Sequence, residues 1–266
     1  MTAITKILVP LELSGLSIAA AAYAAHLAAE FGSELVFLHA IQNGWPPSQA
    51  QREIRDRIRA TTDGHRFLFR EGPPVSVILN TAAAEHPSLI LIATRRKPAL
   101  ARFLDGSITA QLLREARCPV WVGLDHVVPF PGTPIRTVLC AVSLGPRTCP
   151  VLRWSLNLAR TLRASLSVIH ASNALESHTG PYEREWRYRL KQIAGKEIAS
   201  LQAELGTNAE VWLEPGNALT AIPPLAGHLG ADLVVIGKSP QKRFFGDLRT
   251  LSYEIASRTL CPVASV

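Results

Sequence analysis

Gly106 and Ser107 form the part of the sequence best suited to holding an anion. A glycine lets backbone N–H groups approach a phosphate closely, and the helix predicted over 106–116 would begin here. The N-terminus of a helix favours negative charge, and a serine there adds a hydroxyl donor. The alternative is that Ser107 only caps the helix while Gly106 turns the chain. Both interpretations fit the sequence.

Basic side chains crowd the loop before Gly106 and a similarly placed loop in the second half of the chain. One interpretation is a pair of anion sites at equivalent positions. The alternative is two solvated loops whose charges have no partner. The residues concerned are Arg95, Arg96, Lys97 and Arg102 in the first loop, and Lys238, Lys242, Arg243 and Arg249 in the second.

His39 and His170 each come at the end of an apolar, strand-like run. Imidazole can serve as an acid or a base near neutral pH, but neither histidine has a nucleophile or carboxylate nearby in sequence. We therefore predict that both are hydrogen-bonded structural residues. Because no catalytic constellation is visible, the sequence favours a non-catalytic protein over an enzyme that hydrolyses or transfers phosphate.

The two halves of the chain repeat one another. His39 and His170 fall in the matching segments ELVFLHA and SLSVIHA, 131 positions apart. Cys118 and Cys261 fall in the matching closing segments RCPVWVG and LCPVASV, 143 positions apart. The second copy therefore carries about twelve extra residues, which we place in a longer helix over 181–205.

Each copy alternates apolar strands with helices. Strands that are apolar on both faces are typical of a parallel sheet covered by helices on both sides. We predict two tandem α/β domains over residues 1–125 and 135–266, with a proline-containing linker over 126–134. Ligands of such sheets bind beyond the carboxyl ends of the strands. The turns after the first and fourth strands are therefore the expected site.

These turns resemble those of the universal stress protein family, in both copies. That family opens with a strand ending V-P-x-D-G-S, then has G-x-x-G, nine residues and G-S or G-T after its fourth strand, and closes on C-P-V. Ala93, Arg96 and Gly106 stand at the three glycine positions, Ser107 follows, and Cys118 falls in the closing motif. The resemblance implies adenine nucleotide alpha hydrolase-like domains with strand order 3-2-1-4-5, and an ATP site whose phosphates the glycines approach.

The first copy departs from the family pattern at three of these positions. Pro10 is retained, but Glu12 replaces the aspartate that, by resemblance, helps to hold the adenine and ribose of ATP. Ala93 and Arg96 replace two glycines. The Arg96 side chain would either obstruct the phosphate path or supply a cation in place of lost backbone contacts.

The second copy departs further. Ser143 stands where the aspartate belongs, and Gly237 keeps the first glycine. Pro240 takes the second glycine position and removes an N–H donor. Thr250 stands where the serine of the last motif belongs, preceded by Arg249 in place of the glycine.

The resemblance implies a stress-response protein with weak or degenerate ATP binding, best preserved in the first copy. The alternative is an adaptor or structural module with vestigial nucleotide sites, which assembles through its last strands and its long helix. By resemblance, the strands over 119–123 and 262–266 would pair within the chain as a pseudo-dimer, and a homodimer is a further expectation.

The composition narrows the classes of partner. The chain has 266 residues, of which 47% are hydrophobic and 18% charged, as expected for a folded protein. Its apolar stretches are too short to span a bilayer, and the first residues lack the features of a signal peptide, so we expect a cytoplasmic protein without a membrane partner. The net charge of +7 is spread along the chain and predicts a nucleotide or other anion rather than nucleic acid. The cysteines form no C-x-x-C pair, which argues against a zinc site.

Overall fold

The computed structural model describes residues 4–12, 14–42, 48, 52–54, 56, 64–94, 108–124, 132–176, 183–238 and 251–266. In the first half, strands and helices alternate as predicted, and the helix expected near 49–62 falls mostly outside the described residues. The elements of this half are β1 (Lys6–Leu11), α1 (Gly15–Phe31), β2 (Glu34–Ile41), β3 (Arg66–Glu71), α2 (Pro74–Glu85), β4 (Leu89–Thr94), α3 (Ile108–Glu115) and β5 (Val120–Leu124).

The second half repeats this order, and a helix of 23 residues, Glu183–Leu205, precedes its third strand. It covers most of the segment 181–205 in which the longer helix is predicted. The elements are β6 (Thr137–Ala141), α4 (Thr148–Leu162), β7 (Ser165–Ser172), a 3-10 turn (Asn173–Leu175), α5 (Glu183–Leu205), β8 (Glu210–Pro215), α6 (Ala218–His228), β9 (Leu233–Ile236), α7 (Leu251–Ala256) and β10 (Val263–Ser265).

The described strands form one sheet in the order β3-β2-β1-β4-β5-β10-β9-β6-β7-β8. Within each half, neighbouring strands are parallel and follow the order 3-2-1-4-5, which confirms the predicted doubly wound fold. The registers repeat as well: Ile7 lies opposite Leu89 in the first half, and Val138 lies opposite Leu233 in the second. The two halves are therefore structural copies.

The final strands of the two copies pair with one another. β10 runs antiparallel to β5, with Val263 opposite Val122 and Ala264 opposite Trp121. The strand order reverses about this pair, as a two-fold axis would require. This is the pairing within the chain that the resemblance implied for 119–123 and 262–266, and its hydrogen bonds join the sheets of the two copies into one.

Helices cover the sheet on both faces, and each layer continues across the two copies. On one face α1, α4 and α5 enclose a core that includes Phe37 and Ile198. On the other face α2, α3, α6 and α7 enclose a core that includes Leu112 and Ile255. The long helix α5 packs against β8 and the 3-10 turn, so it belongs to the core of its own copy.

Capping residues set the ends of the helices that border the carboxyl edge. Ser14 precedes α1, and its hydroxyl accepts a hydrogen bond from the Ser17 N–H at 3.3 Å. After α1 the chain turns at Gly32, whose φ of 64° lies in the left-handed region. Asn217 and Thr220 form a reciprocal capping box at the start of α6. These residues set where α1 begins and ends and where α6 begins.

Candidate functional site

The turn after the first strand of each copy is braced by a hydroxyl at the same position of the repeat. In the first copy, Ser17 Oγ accepts a hydrogen bond from the Glu12 N–H at 2.9 Å. In the second copy, Thr148 Oγ1 accepts one from the Gly145 N–H at 3.1 Å and donates to the Ser143 carbonyl at 2.8 Å. Both turns lie at the carboxyl edge of the sheet, where doubly wound folds bind ligands.

Glu12 stands at the mouth of the first copy. Its Oε1 accepts a hydrogen bond from the Ser14 hydroxyl at 2.8 Å, and its side chain is exposed. Pro10 lies within β1 opposite Leu38 and is half-buried. The structure therefore places the carboxylate of Glu12 at the predicted edge, while Pro10 belongs to the strand that leads to it.

Ala93 and Gly237 occupy equivalent positions at the ends of the fourth strands, and packing explains why they differ. In the second copy, a Cβ at Gly237 would lie 3.1 Å from Val151 Cγ2. The residue equivalent to Val151 in the first copy is Ala20, which lines the same small cavity as Ala93. The shorter side chain of Ala20 leaves room for the methyl group of Ala93. The second copy therefore pairs a glycine with a valine, whereas the first copy pairs two alanines, and the packed volume of each pair is similar.

The remaining predicted site residues, Arg96, Gly106, Ser107 and Thr250, lie outside the described residues. Pro240 and every member of the basic loops except Lys238 lie outside them too. The described part of α3 begins at Ile108, the residue after Ser107. A phosphate contact and a helix cap thus stay alternative predictions for Gly106 and Ser107.

Lys238 plays a different role from the two considered for its loop. Its Nζ donates hydrogen bonds to the carbonyl oxygens of Cys118, at 2.7 Å, and Ala116. These carbonyls follow α3, so the ammonium group of the second copy caps the C-terminus of a first-copy helix. Burial lowers the pKa of Lys238, the neighbouring Cys118 thiol opposes this shift, and Arg147 adds to it. Lys238 is therefore a clamp between the copies rather than an anion ligand or a solvated charge.

His39 and His170 are structural, as predicted. Nδ1 of His39 lies 2.9 Å from the Leu11 carbonyl oxygen, and Nδ1 of His170 lies 3.1 Å from the Val142 carbonyl oxygen. Because a carbonyl oxygen can only accept a hydrogen bond, Nδ1 carries the proton in both rings. Each histidine thus ties the end of its strand to the neighbouring strand.

A cavity of about 490 Å³ opens at the carboxyl edge of the second copy. This volume falls within the roughly 300–1,000 Å³ typical of small-molecule sites. A second cavity, around Tyr23 and Trp121 in the first copy, measures only about 10 Å³. Residues 95–107, which follow the fourth strand of the first copy, lie outside the described residues, so the predicted preference for the first copy stays a prediction. Aliphatic side chains dominate the lining of the larger cavity and include Val142, Val151, Ile169, Ile222, Ile236 and Ile255.

The described lining of this cavity has four polar side chains. Thr148 and Lys238 line it, but their hydroxyl and ammonium groups already bind main-chain atoms. Ser143 and Arg147 are the other polar side chains of the described lining, which contains no acidic residue. The Arg147 guanidinium donates to the Lys238 carbonyl, and the side chain is exposed. The cavity therefore has an apolar interior and a cationic group at its mouth.

Sequence reasoning missed Arg147 because no motif contains it. It precedes α4, and the equivalent residue 131 positions earlier is Leu16. A comparison of the two copies position by position would have identified this exchange of an apolar side chain for a cation.

Two further properties concern the described part of the chain. It contains no cluster of three or more histidine, cysteine, aspartate or glutamate residues arranged to bind a metal ion. None of its helices is both long and apolar enough to cross a membrane.

Comparisons with known proteins agree with the duplicated fold. The model of the universal stress protein family matches residues 3–122 and again 134–266. A universal stress protein of Methanocaldococcus jannaschii is 26% identical over 138 residues, which cover 44% of this chain and 80% of that protein.

Solved structures of similar fold extend over the whole chain. A Pseudomonas aeruginosa protein of unknown function superposes with a TM-score of 0.71 and 22% identity, covering 100% of this chain and 93% of that one. A universal stress protein of Archaeoglobus fulgidus gives a TM-score of 0.70 and 20% identity, covering 99% and 96%. At these identities the likeness shows the fold alone.

Proposed function

The chain belongs to the universal stress protein family, and from this premise we propose that it is a non-catalytic, ligand-binding protein of the stress response in the cytoplasm. The cavity of about 490 Å³ at the carboxyl edge of the second copy carries this proposal. It lies where doubly wound sheets bind ligands, and its described lining has no acidic or histidine side chain to serve as a base. Binding without chemistry fits this lining best.

We propose that ATP binding is weak and depends mainly on the first copy. Glu12 keeps a carboxylate where the family has aspartate, and Gly106 and Ser107 keep the last motif of the family. In the second copy Ser143 carries no charge and Pro240 lacks an N–H donor. The second copy thus has fewer of the groups that the family pattern supplies to a nucleotide.

Calorimetric titration with ATP and Mg²⁺ tests the nucleotide claim. Gly106→Trp would obstruct the first copy, and Ala171→Phe would fill the cavity of the second. We expect weak binding that Gly106→Trp abolishes and Ala171→Phe retains. An absence of heat at protein concentrations well above micromolar would remove the nucleotide claim and leave the family membership intact.

The exposed side of α5 favours the alternative role as an adaptor. Trp186 is 60% exposed and Ile193 is 61% exposed. They lie seven residues apart, which places them on the same side of the helix. Tyr188 is 65% exposed on the same helix. Exposed apolar side chains of this size are typical of surfaces that contact other proteins.

Light scattering coupled to size-exclusion chromatography tests this alternative and the expected homodimer. If α5 supports self-association, Trp186→Glu should lower the molar mass of the complex, and the exposed control Lys191→Glu should not. A strict monomer at high concentration would count against a homodimer.

A further inference from the structure

We propose that the cavity of the second copy binds an anionic amphiphile, a small molecule with an aliphatic body and a single carboxylate head. This inference rests on the proposed ligand-binding function and names the class of ligand. It draws on three features of the cavity: its aliphatic wall, the cation at its mouth and the asymmetry between the two copies.

The wall suits an aliphatic body. Ile222 and Ile255 reach the cavity from α6 and α7, and Ile169 and Ile236 reach it from β7 and β9. These side chains offer no hydrogen bond, so the polar edge of a purine would depend on main-chain groups for its partners. An alkyl chain loses no hydrogen bond on entering and gains from the removal of apolar surface from water.

The mouth suits one negative charge. The Arg147 guanidinium has five N–H donors, and within the described residues it donates a hydrogen bond to the Lys238 carbonyl. Its planar fork matches the two oxygens of a carboxylate. Residues 143–148, the turn that leads into α4, line the cavity, so the positive end of the helix dipole lies on the same side.

A triphosphate fits this mouth poorly. The second cation of the lining, Lys238, directs its ammonium group away to the carbonyl oxygens of Ala116 and Cys118. Within the described lining, Arg147 is then the one cation left to face the several charges of a triphosphate, whereas it can neutralise the single charge of a carboxylate. The described lining therefore discriminates by head-group charge.

The first copy lacks this combination. Leu16 stands where the second copy has Arg147, and Glu12 stands where it has Ser143. A carboxylate ligand there would meet the negative charge of Glu12, and the position of Arg147 would offer it an apolar side chain. Selectivity for the second copy follows from these two exchanges.

Calorimetric titration of the full chain with decanoate, with decanol and with ATP and Mg²⁺ tests the proposal. We expect one decanoate per chain, with decanol about tenfold weaker because it lacks the charge. Arg147→Leu, which installs the first-copy residue, should lower the affinity for decanoate to that for decanol. Arg153→Leu, on the exposed side of α4, should change neither affinity.

Filling the cavity gives an independent test. Ala171→Phe should abolish decanoate binding, while Ala40→Phe, the same change at the equivalent position of the first copy, should retain it. Ala218→Phe fills the cavity from α6 and serves if Ala171→Phe does not fold.

The outcomes separate the two proposals. Three results would each overturn the amphiphile assignment. They are that decanoate does not bind at all, that it binds Ala171→Phe as well as the wild type, or that it binds Arg147→Leu with undiminished affinity. If ATP bound instead and Ala171→Phe abolished its binding, the ligand class would be wrong while ligand binding at the cavity would stand. If neither ligand bound, the carboxylate assignment would fall together with the cavity's proposed role.

Discussion

Replacing Lys238 by methionine should weaken the contact between the two copies. Methionine keeps most of the aliphatic stem but has no ammonium group, so the Ala116 and Cys118 carbonyls lose their shared donor. The Cys118 contact measures 2.7 Å, a length typical of a charge-assisted hydrogen bond. The variant therefore tests one defined link between the halves.

The expected loss follows from two opposing contributions. Each hydrogen bond from a charged group adds about 1.5–3 kcal/mol to stability. Burial of the ammonium group acts against this gain, and it is the main cause of the lowered pKa of Lys238. We therefore expect Lys238→Met to lower the free energy of unfolding by about 2 kcal/mol, less than the two bonds would add without that cost.

Urea unfolding followed by circular dichroism measures this loss, with Lys196→Met as the matched exposed control. The loss should persist in 1 M salt, which weakens exposed ion pairs, because the partners of the ammonium group are carbonyl dipoles at hydrogen-bond distance. If Lys238→Met unfolded within about 0.5 kcal/mol of Lys196→Met, the clamp would contribute nothing measurable and the argument would fail.

Three further predictions concern the sheet edge and the core. His39→Leu and His170→Leu should each lower the free energy of unfolding by about 1–2 kcal/mol, and clearly unequal losses in urea would contradict their equivalence. Thr148→Val should lower the free energy of unfolding by about 1–3 kcal/mol, because the hydroxyl loses its hydrogen bonds to Gly145 and Ser143. Thr148→Ser keeps the hydroxyl and should retain most of the stability; an equal loss in both variants would show that the methyl group holds the turn. Burial raises the pKa of the Cys140 thiol from 9.0 to about 12, so its contribution to stability is lost as the pH rises from the lower to the higher value. Between pH 8 and pH 10.5 the wild type should therefore lose ~2 kcal/mol more than Cys140→Ala in urea unfolding, and parallel losses would refute the assignment.

The fold could be predicted because its signals are local and occur twice. The 131-residue spacing of His39 and His170 reappears in the structure as equivalent hydrogen bonds to Leu11 and Val142. Apolar runs such as β1 predicted a sheet buried on both sides, and Ile7 in this strand is fully buried. The family resemblance supplied the strand order and the pairing of the last strands.

The cavity could not be predicted, because its wall is assembled from side chains distant in sequence. Val151 and Ile222 meet there only after the sheet has formed, and neither belongs to a motif. The Lys238 ammonium group donates to a carbonyl 120 positions away in the sequence. The sequence does not reveal this contact, and it therefore allowed Lys238 to be considered as an anion ligand. Motifs such as Gly106-Ser107 record backbone contacts and carry no information on enclosed volume.

The antiparallel pairing of β5 and β10 within one chain has an evolutionary consequence. In a symmetric pair of separate chains, every substitution at the contact appears on both sides. Here the covalent connection keeps the partners together at any dilution and lets each side change alone. Lys238 reaches across to Ala116 and Cys118, while Thr94 stands at the reciprocal position of the first copy. Duplication followed by fusion thus allows the two halves to diverge in function. One half can keep the family motif while the other acquires a different ligand specificity.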